Sequence, residues 1–273
     1  ISVSKKNIEK FKKEGIYKSK RLNIRSFKVY GDGALGSRGA VLKSPYCDDP
    51  HNYGILRTST EDLKFYAKEI AEMGFQMNTH AIGDSTVSVL LNEYKKILRN
   101  IDDPRWRIEH SQVVDINEFE LYNEKILPSI QPTHATSDMY WAYDRLGSRI
   151  KGAYAFKDLL NSSSRVALGT DFPVEKVNPF HTFYSSVERK DLNGYPENGF
   201  QMENSLTREE TLKGMTIWGA YFNFEEHEKG SLEVGKSADF IVLSQNIMEI
   251  EADLIPNTEV IQTYIDGELV YSK

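Results

Sequence analysis

The stretch EDLKFYAKEIAEMGFQMNTHAIGD, residues 61–84, decides the fold class. In its first half, apolar residues fall at Leu63, Tyr66, Ala67, Ile70 and Ala71, the spacing of one helix face, and Gly74 stands where helices commonly end. Gln76 to Thr79 then reads as a short strand that His80 closes. Asp84 is placed to cap the next helix, whose face carries Val87, Val89, Leu90, Leu91 and Tyr94. Helix, strand, loop and helix in so short a run make one βα unit, and such units lie around a parallel sheet.

The same alternation extends outward in both directions. Strands are expected at Ile24 to Tyr30, Trp106 to Glu109, Ile126 to Ile130 and Val166 to Gly169. Helices are expected at Ile116 to Asn123, Ala155 to Asn161, Pro179 to Lys190 and Thr207 to Tyr221. The polar stretch Lys190 to Thr207 reads as a linker. After Gly230 the pattern changes: Ser237 to Leu243 and Val260 to Tyr271 read as strands, with Asp266-Gly267 supplying a hairpin turn.

Composition narrows the function classes. With 273 residues, 40% of them hydrophobic, the chain can bury a large core. A formal net charge of -6 offers no basic surface for phosphates, so nucleic acid is not expected as a partner. No apolar run approaches the roughly 20 residues that span a bilayer, and no membrane association is expected. Cys47 is the only cysteine, which rules out an internal disulfide or a thiolate cluster for zinc. A cytoplasmic setting fits. The chain does not open with Met, and the expectation is that it represents part of a longer protein.

The polar residues of interest gather at the carboxyl ends of the expected strands, where parallel sheets place their ligands. Lys28 lies near the end of the first strand, His80 ends the second and His110 the third, while His134 follows the fourth and Asp171 the fifth. A single His after a strand is commonly a satisfied structural residue. Two in consecutive units, with an Asp two units later, suit a divalent metal such as zinc. Glu109 is expected to point away from its neighbour His110 and to pair with a basic residue outside the barrel. The glycine-rich loop Gly31 to Gly39 lacks the P-loop lysine arrangement and reads as a tight loop or a lid over substrate. Tyr140, Trp141 and Tyr143 either line a pocket or pack as core.

Five motifs in order, FKVYGDGALGSRGA (27–40), THAIGD (79–84), RIEHSQ (107–112), QPTHATSD (131–138) and LGTDFPV (168–174), together with the tail GSLEVGKSADFIVL (230–243), resemble the amidohydrolase superfamily, in its amidohydrolase 3 branch. The resemblance implies an α/β fold: a partial TIM-like (β/α)8 barrel holding about strands 4–8, over residues 1–229, followed by part of a small β-sandwich over 230–273. It implies that Lys28, a position open to carboxylation, His80, His110 and Asp171 hold the metal. Asp171 would also act as general base and acid. His134 and Asp138 match a substrate-contacting segment, and Asp32 is assigned the same role. The implied chemistry is hydrolysis of non-peptide carbon–nitrogen bonds in small amides or formamides. Deamination on the same scaffold, or a metal-free binding module, are the rivals.

The resemblance also calls for an H-x-H pair, and none occurs here. Two ligands would then lie outside this chain, which is expected to bind metal weakly and to be inactive alone. Open sheet edges would favour homo-oligomer formation.

Overall fold

A computed structural model describes residues 1–273. Along the chain run α1 (Lys5–Glu14), β1 (Tyr17–Lys18), β2 (Asn23–Ile24), β3 (Ser26–Tyr30), α2 (Thr60–Glu72), β4 (Gln76–Ala81), α3 (Asp84–Ile97), β5 (Trp106–His110) and β6 (Ile126–Ile130). They are followed by α4 (Pro132–Asp138), α5 (Ala142–Leu146), α6 (Phe156–Ser163), β7 (Ala167–Leu168), α7 (Pro179–Glu188), α8 (Arg208–Met215), α9 (Ile217–Phe222), β8 (Phe240–Leu243), β9 (Val260–Ile265) and β10 (Glu268–Ser272). The chain forms two compact units, one of Ile1–Ile130 with Tyr140–Arg165, the other of Gln131–Met139 with Val166–Lys273.

In the first unit β3 to β6 pair in parallel, in the order of the sequence. The register sets Lys28 beside Asn78 and Asn78 beside Arg107, and sets Tyr30 beside His80 and His80 beside Glu109. Side chains alternate across a strand, so the sheet has two unlike faces. One carries Phe27, Val29, Met77, Thr79, Trp106 and Ile108, each at most 1% exposed, and packs against the apolar stripes of α2 and α3. Each large side chain buried there stabilises the fold by about 1.5–3 kcal/mol. The other face carries Lys28, Tyr30, Asn78, His80, Arg107 and Glu109. Beyond β3, backbone bonds from Lys28 to Ile1 and from Val3 to Lys28 lay the first residues along its edge, so the expected bare edge is covered there.

The second unit builds its core from α7 and the segments after it: Phe180, Phe183, Tyr184, Ile247 and Ile255, with Met215, Leu243 and Val260 packed on them. Its three antiparallel strands run in the order β10-β9-β8. Asp266 and Gly267 both adopt positive φ, 53° and 78°, as the expected hairpin turn requires.

Several expectations are corrected. Ile116 to Asn123 holds only a single 3-10 turn, Phe119–Leu121, because the Asp115 carboxylate takes the Asn117 backbone N–H and turns the chain. The chain between Lys190 and Thr207 is no linker. It lies inside the second unit, fixed by Arg189, which is fully buried and donates to the Phe200 carbonyl at 2.8 Å. Asp84 is the first residue of α3 rather than its cap; Gly83 holds the cap position and Asp84 Oδ1 accepts from Lys43 N at 2.8 Å. The helix α1, capped by the Ser4 side chain on Asn7 N, was hidden by its lysine-rich composition.

Candidate active site

In the first unit, the carboxyl ends of β4 and β5 bring His80 and His110 together, with ring centroids 4.5 Å apart and the planes 72° to each other, edge toward face. Strand parity alone would send His110 to the helix-covered face, with Ile108. At the strand's last residue, however, φ reaches 76°, and Ser111 follows at 43°. Non-glycine residues seldom adopt this conformation, and they hold it where surrounding contacts impose it. Ser111 supplies one such constraint: its Oγ donates to the Ile108 carbonyl and accepts from the Tyr122 hydroxyl.

Lys28 stands on the same sheet face as His80, its Nζ 5.3 Å from the Tyr30 ring centre. Glu109 is on that face too. Its pairing with a base is met by Arg107 at 3.1 Å, but not outside the sheet: the parity that separates it from His110 places it with Lys28 and His80. Burial would raise its carboxyl, yet the charges of Arg107 and Lys28 hold it below the usual carboxylate range.

Asp32, 2% exposed, accepts backbone N–H bonds from Val41 at 2.9 Å, Ile82 at 3.0 Å and Gly83 at 2.9 Å. Its Oδ1 is also 3.7 Å from His80 Nε2. Both oxygens are thus engaged in joining the loop after β3 to the loop after β4. Burial raises its carboxyl, and the three N–H bonds oppose that rise.

In the second unit, α4 begins with Pro132 and buries His134, whose Nε2 lies 3.4 Å from Asp171 Oδ2 and whose Nδ1 lies 3.1 Å from Glu175 Oε1. Burial disfavours the charged ring, but the two carboxylates outweigh it and raise the pKa to about 9. Glu175 Oε1 also accepts from Ser137 Oγ at 2.6 Å. Asp138 is half-buried and accepts weakly from Ser137 at 3.5 Å. Of the aromatics, Tyr140 and Tyr143 are exposed, while Trp141 packs over Gly36 and against Arg145.

Glu175 and Ser137 were not singled out by the sequence reading. A local signal exists only for Ser137, three residues after His134 on one turn of α4; Glu175 lies in a non-helical loop and meets His134 from 41 positions away.

The amidohydrolase family pattern matches residues 1–271. The chain belongs to the amidohydrolase family. It is 33% identical over 264 residues to the protein LONG AFTER FAR-RED 3 of Arabidopsis thaliana, covering 94% of this chain and 45% of that one. It is 34% identical to the amidohydrolase-named YtcJ of Bacillus subtilis, over 91% of this chain and 47% of the relative. It is 21% identical to an N-substituted formamide deformylase of Arthrobacter pascens, over 86% of this chain and 46% of that protein. Among solved structures, an uncharacterized metal-dependent hydrolase from Pyrococcus horikoshii superposes with a TM-score of 0.78 at 27% identity, over 90% of this chain and 50% of that one. The amidohydrolase chain therefore spans about half the length of the curated relatives it matches. No helix in it is long and apolar enough to cross a membrane.

Proposed function

We propose that the full-length protein is a metal-dependent hydrolase of carbon–nitrogen bonds in small amides or formamides, built on a TIM-like barrel of which this chain supplies about strands 4–8. The observation that carries this reading is the pair of imidazoles, His80 and His110, meeting at the carboxyl ends of adjacent parallel strands. Likeness to metal-dependent hydrolases and to a formamide deformylase supports it.

By the family resemblance the ligands would be His80, His110, Lys28 and Asp171, nitrogen and oxygen donors of the kind that zinc accepts. A divalent ion held by these four residues would polarise the scissile carbonyl and make a bound water acidic near neutral pH. Asp171 then takes the proton of the attacking water and passes it to the leaving nitrogen. His134, 3.4 Å from Asp171, contacts the substrate beside it, and Asp138 flanks that position. Asp32, with both oxygens engaged by backbone amides, acts by fixing the loops after β3 and β4 beside His80 rather than by touching substrate.

The test is elemental metal analysis of the full-length protein with its His80→Ala and His110→Ala variants, alongside a panel of small amides and formamides. Stoichiometric metal that both changes reduce at least tenfold, with metal-dependent amine release, is expected. A metal-free parent after metal supplementation, or metal without hydrolysis of any member of the panel, would overturn the proposal.

A further inference from the structure

Within the second unit lies a half-open cavity of about 150 Å³ whose lining includes Thr133, Thr136, Glu175, Lys176, His181 and Asp191. It adjoins the His134 and Asp171 pair through Glu175, which lines the cavity and accepts from Ser137 while lying 3.1 Å from His134 Nδ1. The hydroxyls of Thr136 and Ser185 are satisfied by each other at 3.1 Å. The Thr133 hydroxyl has no hydrogen-bond partner although the residue is only 8% exposed. Leaving a buried polar atom unpaired is unfavourable, so a lining group of this kind marks a place where a ligand completes the bonding.

The lining specifies what that ligand carries. Two carboxylates, Glu175 and Asp191, face one lysine, Lys176, which is exposed. Asp191 is held by the turn its own Oδ1 makes with the N–H groups of Asn193 and Tyr195, at 2.8 and 3.0 Å. Buried Arg189, donating to the Phe200 carbonyl, anchors the start of that loop. His181 sits below its ordinary pKa because burial and Lys176 both disfavour its charge, so it adds no cation near neutral pH. Lys176 and the His134 ring, which lies against Glu175, are the cations here, and the three carboxylates Glu175, Asp191 and the adjoining Asp171 outnumber them.

We propose that this cavity is the subsite for the amino-bearing end of a small-molecule substrate, a primary ammonium on a chain of a few carbons, with Thr133, Glu175 and Asp191 as its acceptors. This assignment of substrate class rests on the hydrolase reading above. It predicts that amides bearing a terminal amine are preferred over those bearing a carboxylate, because an anion would meet more carboxylates than cations there.

Ligand-observed saturation-transfer NMR on the full-length protein, stripped of metal by a chelator, tests the cavity without depending on turnover. The probes are 1-propylamine, 1-propanol and propionate. Transfer to propylamine at least fivefold stronger than to the other two is expected, falling at least fivefold in Thr133→Val and in Asp191→Asn. Asp191→Asn keeps an oxygen for the loop's own N–H bonds, so its effect is separable from misfolding, which thermal melts of both variants would expose. Equal transfer to all three probes, no transfer to propylamine, or transfer unchanged in a folded Asp191→Asn protein would each overturn the proposal. Propylamine binding in a protein that hydrolyses no amide would instead remove the hydrolase reading and leave the cavity standing.

Discussion

Glu175 presents one carboxylate oxygen to both the Ser137 hydroxyl and His134 Nδ1, and so fixes which edge of the imidazole faces Asp171. Outer partners that orient a working histidine typically matter 10–100-fold. On an amide without a terminal amine, Glu175→Ala is therefore expected to lower kcat of the full-length enzyme by about that factor with KM changed less, whereas Glu175→Gln, which retains an acceptor oxygen, recovers part of the loss. Equal kcat in the two variants would contradict an orienting role. At Asp32 the prediction concerns stability. Asp32→Ala leaves three backbone N–H groups, those of Ile82 and Gly83 buried and that of Val41 partly so, without their acceptor and is expected to destabilise the first unit by about 3 kcal/mol, read by denaturant titration. Both residues show what a sequence withholds at this scale. The run T-H-A-I-G-D exposes His80 because it ends a strand, but an aspartate pinning three amides 9, 50 and 51 positions away leaves no local pattern.

The loops after β3 and β4 form a single device. Asp32 and Asp84 tie them together, and Gly83 lets them touch: a Cβ there would sit 2.1 Å from the Val41 carbonyl oxygen. Since the obstacle is backbone, Gly83→Ala must push the loop away and strain the Asp32 and Asp84 bonds. A loss of several kcal/mol, seen as a lower thermal midpoint with lower metal occupancy in the full-length protein, is expected. Further along the same loop, Asp48 is gripped by Arg38 and Arg145, and the Arg38 hydrogen bonds hold its carboxyl below the usual range. A carboxyl depressed in the folded state contributes stability above the unfolded pKa of about 3.9 and loses it as pH falls through the lower folded value. Asp48→Asn should thus flatten the fall of the thermal midpoint below about pH 4; an unaltered acid limb would show that the ion pairs contribute nothing there. Element existence was legible wherever periodicity was long, as in α2 and α3. It failed at Ile116 to Asn123, where a single Asx turn outweighed an apolar spacing, and at α1, whose cap is local but whose packed face is small.

For the molecule as a whole, the three-stranded tail sheet leaves Ile241, Leu269, Val270 and Tyr271 between 48% and 54% exposed. Apolar strands bared in this way favour association, so this chain expressed alone is expected to self-associate with rising concentration and to bind metal weakly, without hydrolytic activity. Light scattering that shows a monomer at millimolar concentration, or stoichiometric metal in the isolated chain, would refute these expectations separately. The sequence by itself determined the βα order, the five parallel-type strands and the placement of Lys28, His80 and His110 near strand ends, because periodicity and strand termini are properties of neighbours in the chain. The tertiary structure alone decided that Glu109 shares the face of Lys28, that a positive φ swings His110 against His80, and that Glu175 locks His134. Each of these depends on register, on a backbone conformation imposed by distant contacts, or on the meeting of residues about forty positions apart, and none of them leaves a periodic trace in the sequence.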